Sequence, residues 1–273
     1  MNTDVVLIAA TYDPEGQIGA LLPEQLPLLL SHFAHVAVLC RDGTAPETFA
    51  RLVAGGVEVL RNPDLPVNPR PAMLHIAHAR PEWAFVHMED LDSALHWAWR
   101  WPDELDHIHI TLHAYDFALL GRSARAIATI PDAQRLTEAV INTMFAACTG
   151  GVADWRIVPD DSGAPVDICT GAWGFSRRGI VSLATQIQEM SIGFHAEWPL
   201  IARDTPGLRC AYLPTEGLEY ETADRYAPEI TAAGGYDAWV AESESNPARW
   251  RQRTQYINEV ADFLTMYRHT REM

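Results

Sequence analysis

Asp90-Leu91-Asp92 holds the residues of this chain best placed to do chemistry. Two carboxylates stand two positions apart, after the apolar run Trp83 to Met88 and before a helix-like stretch. At the end of a strand, positions i and i+2 face the same way. Both acids can therefore meet one hard divalent cation, which takes oxygen ligands and often carries substrate phosphates. The same tripeptide also suits a turn whose aspartates cap the next helix. A second constellation, His107, His109 and His113, alternates loosely and would share one face of a strand, as in a zinc site. No acid stands at the helical HExxH spacing that a zinc hydrolase would need.

The flanking pattern shows what must hold the acids in place. Val5 to Ala10 is a continuous apolar run of strand length, broken by Thr11-Tyr12-Asp13-Pro14. A helix is expected from Pro23 to Phe33, a strand from His35 to Cys40, a helix from Pro46 to Ala54 and a strand from Val57 to Leu60. A proline-rich loop, Arg61 to Pro71, and a helix from Ala72 to Ala79 lead into the strand that carries the acids. Such alternation implies a parallel sheet covered by helices, with its ligand site beyond the carboxyl ends of the strands. Thr11, Asp42, Arg61 and Asp90 all follow strand ends.

Beyond residue 100 the expectations are a strand over His107 to His113, a hairpin or strand pair over Ala118 to Thr129, and a helix over Gln134 to Cys148. A strand and tight loop over Val166 to Phe175, a helix holding Glu197 to Ala202, and a strand over Cys210 to Leu213 follow. From Pro247, apolar residues from Trp250 to Tyr267 recur at three and four positions, the stripe of a packed amphipathic helix. It reads as a clasp on the core, giving a main domain over residues 1–215 and a helical extension over 216–273.

Composition narrows the chemistry. All 20 basic residues are arginine, which removes Schiff-base chemistry, pyridoxal attachment and the Walker lysine. A phosphate must then be held by arginine or by a metal. The net charge of -16 argues against nucleic acid and anionic membrane as partners. Cys40, Cys148, Cys169 and Cys210 are widely spaced, without a CxxC pair, and read as reduced core thiols of a cytoplasmic protein. No signal peptide or membrane span is expected. A homo-oligomer is compatible with the chain.

In the order of its strands, acids and loops, the chain resembles the GT-A glycosyltransferases that use nucleotide-diphospho-sugars, in particular the family-2-like bacterial members. Asp42-Gly43-Thr44 resembles their Asp-Gly-Ser segment, Asp90-Leu91-Asp92 their Asp-x-Asp, Thr170 to Arg177 their glycine-rich acceptor loop, and His195-Ala196-Glu197-Trp198-Pro199 their acidic element. Arg41 stands where an acid is more usual, and His195 with Glu197 replaces a Glu-Asp pair.

The resemblance implies a three-layer α/β/α fold with a mostly parallel central sheet. It also implies Mn²⁺ or Mg²⁺, a nucleotide-diphospho-sugar donor and an unknown acceptor. Ala10, Thr11, Asp42, Asn62, Arg70 and Asp90 would bind the donor, and Asp92, Asp90 and His195 the metal. Gly171, Ala172 and Trp173 would face the acceptor, with Glu197 as base and Asp90 at the sugar. Glu197 reads equally as a first-turn helix acid. Arg122, Arg125, Arg177 and Arg178 suit either an anionic acceptor or internal salt bridges.

Two rival readings remain. One is a magnesium-dependent aspartyl-phosphate phosphatase, against which Ala94 and the missing lysine count. The other is a non-catalytic nucleotide-binding protein on the transferase fold.

Overall fold

The structure, a computed structural model, describes residues 3–62, 69–152, 155–157 and 166–272. The middle of the proline-rich loop, residues 63–68, lies outside them, as does the side chain of Asn62. The first half of the chain alternates as its pattern predicts: β1 (Val5–Thr11), α1 (Gln17–His32), β2 (His35–Arg41), α2 (Pro46–Ala54), β3 (Glu58–Asn62), α3 (Pro69–His78) and β4 (Phe85–Asp90). Then come α4 (Leu91–Arg100), α5 (Pro102–Leu112), β5 (Phe117–Arg122), α6 (Ala124–Ala128), α7 (Asp132–Thr149), β6 (Arg156–Ile157) and β7 (Trp173–Ser176). The chain continues through α8 (Arg177–Ala184), α9 (Phe194–Asp204), β8 (Cys210–Thr215), α10 (Thr222–Arg225), α11 (Ala227–Ala232), α12 (Tyr236–Glu244) and α13 (Pro247–Glu272).

The strands form one eight-stranded sheet in the order β3-β2-β1-β4-β7-β5-β8-β6. Among the described residues only β7 runs antiparallel, between β4 and β5. Alternate residues of each strand feed opposite cores. Val6, Ile8 and Ala10 pack with α3, α7, α8, α9 and α13, whereas Val5, Leu7 and Ala9 pack with α1, α2, α4 and α5. The expected three-layer α/β/α architecture is thus present. Runs such as β1, buried at every residue, are the signature of strands covered on both faces.

Several expectations are corrected. The helix placed at Pro23 starts at Gln17 and contains Pro23 and Pro27. Pro23 has no N–H to give the Gly19 carbonyl one turn earlier, and the Arg51 guanidinium donates to that oxygen instead, at 2.6 Å. Residues 107–113 are not a strand. Pro102, Asp103 and Glu104 begin a helix, and Leu105, Ile108, His109 and Leu112 form its buried side. Of the three histidines, His107 is exposed and His109 buried, so the proposed zinc face does not exist.

The pair expected over 118–129 is one strand that ends at Arg122. There the Ser123 hydroxyl accepts the Ala126 N–H at 3.0 Å and caps α6. The segment expected as a strand from Val166 holds none before Trp173. Polar anchoring keeps it irregular, since the Asp167 carboxylate takes bonds from Arg122, Asn142 and the Cys169 N–H.

Candidate functional site

Ala10 of β1 pairs in register with Asp90 of β4, so the last residues of two adjacent parallel strands reach the carboxyl edge together. Asp90 ends its strand and serves as the N-cap position of α4, while Asp92 falls in that helix's first turn. Both acids lie on the wall of a cavity of about 390 Å³ that Thr11, Arg70, His195 and Glu221 also line. The Thr11 hydroxyl is buried there with no hydrogen-bond partner among the described residues. A second lobe of about 410 Å³ shares Thr11, Arg70 and Asp90 and extends to Tyr12, Arg41, Ser191 and Glu259.

Each acid is matched by an arginine. Arg70, from the start of α3, bonds Asp90. Arg225, from α10, lies 3.3 Å from Asp92. Burial raises the Asp92 carboxyl above its usual range, against the opposing pull of Arg225. Glu221, facing the same acids, is pushed up by burial and then by Asp92 to about 7. Beneath them Glu89 is fully buried and pushed well up for the same first reason.

Gly171 is placed against Arg70. Its φ of +72° belongs to glycine, and a Cβ there would meet the guanidinium at 3.1 Å. The bare backbone of Gly171 therefore packs on the arginine that bonds Asp90.

His195 is buried in the first turn of α9, and its Nδ1 donates to the Ile168 carbonyl at 2.8 Å. Burial and the Arg70 cation push it down to about 3. The ring is thus neutral, with its lone pair on Nε2, the state of an imidazole that can ligate a metal. Among the described residues no three His, Cys, Asp or Glu side chains are gathered to hold an ion. Asp90, Asp92 and Glu221 carry carboxylate oxygens and His195 a neutral nitrogen, donor types that Mg²⁺ or Mn²⁺ accepts, although they are not gathered into one ligand set. An ion taking these oxygens would replace the positive charge that Arg70 and Arg225 now provide.

The remaining sequence candidates divide sharply. Ala10, Thr11, Arg70, Asp90, Asp92, Gly171 and His195 share the cavity wall. Asp42 sits exposed in the turn after β2 and lines neither lobe. Ala172 and Trp173 are fully buried and absent from the wall. The Trp173 indole packs against Phe194 and Trp198, because Trp173 begins a central strand and does not belong to a loop. Glu197 is also turned from the cavity. It accepts the N–H groups of Gln188 and Glu189 at 2.8 and 3.1 Å and ties their loop to α9.

Arg122 is buried between Asp167, at 2.6 Å, and Glu138, at 2.7 Å. Arg125 pairs with Glu216 and Glu219, Arg177 donates to the carbonyls of Ala77, His78 and Arg80, and Arg178 lies 3.8 Å from Asp116. All four are thus engaged within the fold, and of them Arg122 also lines the cavity, beside Glu138.

Sequence reasoning missed Glu221, Thr222 and Arg225, and the Arg253 and Tyr256 side chains of α13, which complete the wall. The first three follow the end of β8, so the strand-end rule that found Asp90 also points to them. Arg253 carries no such signal, because a helix packed across a sheet edge has no local signature.

No protein-family model matches the chain, and no curated protein matches it. Several solved structures align with it in part. Glucosyl-3-phosphoglycerate synthase from Mycobacterium tuberculosis, in complex with UDP, aligns at a TM-score of 0.49 and 17% identity over 83% of this chain and 80% of that one. In complex with Mn²⁺, UDP-glucose and phosphoglyceric acid it aligns at 0.48 and 18%, over 78% and 70%. A further structure of this synthase aligns at 0.47 and 15%, over 85% and 80%.

Proposed function

We propose that this protein is a metal-dependent glycosyltransferase of GT-A type, moving a sugar from a nucleotide-diphosphate donor to an acceptor. The observation that carries the reading is the meeting of Asp90, Asp92, Arg70 and Thr11 on one cavity wall at the carboxyl ends of adjacent parallel strands. Residues 1–215 supply that edge, and residues 216–273 form the helical extension that closes it with Glu221, Arg225 and Arg253.

A divalent cation, Mn²⁺ or Mg²⁺, would supply charge neutralisation on the departing diphosphate, held by Asp92 and Asp90 with His195 beside them. Arg70 meets the diphosphate as a planar bidentate donor. Asp90, the more exposed of the two acids, accepts from the hydroxyls of the sugar or ribose. Thr11 offers its unmatched hydroxyl to the donor. For an inverting reaction the acceptor proton must pass to a carboxylate on the wall, and Glu221 occupies that place where Glu197 does not. The four cysteines are free thiols, which supports a reducing compartment, the cytoplasm. Among the described residues no helix is long and apolar enough to cross a membrane.

The reading is tested by calorimetric titration of nucleoside diphosphates with and without Mn²⁺, followed by release of nucleoside diphosphate from nucleotide-sugars. Cation-dependent binding that disappears in Asp92→Ala is expected, and cation binding left intact in that variant overturns the metal assignment. The pairing of both acids with arginines favours a second reading, a nucleotide-binding protein without turnover. Tight binding with no turnover across a broad acceptor panel would establish it.

A further inference from the structure

The second lobe of the cleft differs in chemistry from the first. Its outer wall is the Tyr12 ring, 51% exposed, backed by the turn after β2. Gly43 in that turn has a φ of +90°, and a Cβ there would stand 3.4 Å from the ring. The Arg41 guanidinium lies over the same ring, 5.2 Å from its centroid. Its side chain has no hydrogen-bond or ion-pair partner among the described residues. Across the lobe stands Glu259 of α13, whose carboxylate accepts from the Ile192 N–H at 3.3 Å and from Gln255 at 2.8 Å. Those two bonds leave part of its accepting capacity unused. The lobe therefore offers a flat aromatic face, a planar fork of donors and a carboxylate. At about 410 Å³ it is within the usual range for a small-molecule site.

We infer that this lobe is a nucleobase site built for guanine, with Arg41 selecting it, so that the donor is a guanosine-diphosphate sugar. The inference rests on the transferase reading above and names its donor. Guanine presents two adjacent acceptors, O6 and N7, to a guanidinium fork, and two adjacent donors, N1–H and the 2-amino group, to a carboxylate. Both forks in the lobe are then filled. Uracil separates its two carbonyls by an N–H and offers Arg41 one acceptor at a time. Adenine sets an amino donor beside N7, which meets the guanidinium donor to donor. Cytosine has adjacent acceptors but gives Glu259 a single amino group. Asp42, the acid that the sequence pattern assigns to the base, does not line the lobe, so no aspartate from that turn competes with Arg41 for the base edge.

The experiment is calorimetric titration of GDP, UDP, CDP and ADP at one fixed Mg²⁺ concentration, with the wild-type chain and with Arg41→Ala, Arg41→Lys and Glu259→Gln. GDP should bind about tenfold or more tightly than the other three, the discrimination of one good bidentate pair. Arg41→Ala and Arg41→Lys should bring GDP close to the others, the lysine variant because it keeps the charge and loses the fork. Glu259→Gln should narrow the preference by about fivefold. Melting temperature should hold in the Arg41 variants, since that side chain is exposed. UDP, CDP or ADP binding as tightly as GDP, or a GDP preference that survives Arg41→Ala, overturns the base assignment and leaves the transferase reading standing. Failure of all four nucleotides to bind overturns both.

Discussion

Arg70 and Arg122 both stand at the carboxyl edge of the sheet and both pair with aspartate, yet they serve different ends. Arg122 is held between Asp167 and Glu138, each nearly buried, with Asn142 completing the Asp167 shell, and both Arg122 and Glu138 reach the wall of the same cavity. Arg70 meets Asp90 at the open cleft, where the acid remains 43% exposed. Buried charges must be fully matched, because nothing else solvates them. Charges at a cleft are matched only provisionally, and a ligand can take over either partner. The pairs thus differ in how fully each charge is matched before a ligand arrives.

Breaking each pair should therefore show in different measurements. The largest effect is expected for Arg122→Met, which strands two carboxylates in the interior and should cost about 3–5 kcal/mol in denaturant unfolding. Arg70→Met should cost less than that, because Asp90 is 43% exposed and water can solvate it once the arginine is gone. Equal losses would erase the distinction. Next in size, Asp92→Asn should lower turnover by roughly 100-fold or more, about 2.7 kcal/mol in barrier, with a melting temperature close to wild type. A variant that melts early would place Asp92 with Arg122 among the structural charges.

Acid titration sharpens the same contrast. Burial alone would raise Asp167, but Arg122 and the surrounding hydrogen bonds hold it below its ordinary value. An acid lowered in the folded state stabilises fully above its unfolded pKa, about 4. That stability is lost as the pH falls through the lower native value. Unfolding free energy should thus fall below about pH 4, and Asp167→Asn should flatten that limb while reducing stability at neutral pH. An unchanged limb would remove Asp167 from its role. The smallest effect is expected for Glu197→Gln. Losing a carboxylate that ties one loop should cost about 1 kcal/mol and leave turnover within about twofold of wild type. A loss of turnover without a loss of stability would return Glu197 to the chemistry.

The first ninety residues could be read from their pattern because each strand there is built around an apolar run and each turn carries its own local residues. The acids followed from the same rule, since the end of a parallel strand opens onto the cleft. Where the reading failed, a remote partner had decided the outcome. Glu197 read equally as a base and as a first-turn helix acid, and two backbone N–H groups from residues 188 and 189 hold it away from the cavity. Trp173 looked like loop until antiparallel pairing with β4 and β5 drew it into the sheet. His107 to His113 looked like alternation because their period was judged apart from Pro102, which starts the helix.

The sequence alone determined the alternation of strands and helices through the first ninety residues, the phosphate chemistry open to a chain without lysine, and the position of Asp90 and Asp92 at a strand end. Those features depend on neighbours a few residues away, and local sterics and hydrophobic periodicity act at that range. Tertiary structure decided which charges face the cleft. Arg122 ends a strand and Arg70 begins a helix, and partners 45 and 20 positions away, Asp167 for one and Asp90 for the other, determine which is matched by buried acids and which meets an acid open to solvent. Burial and charge matching are properties of the packed chain, so the difference in how fully each charge is matched appears only when the layers close.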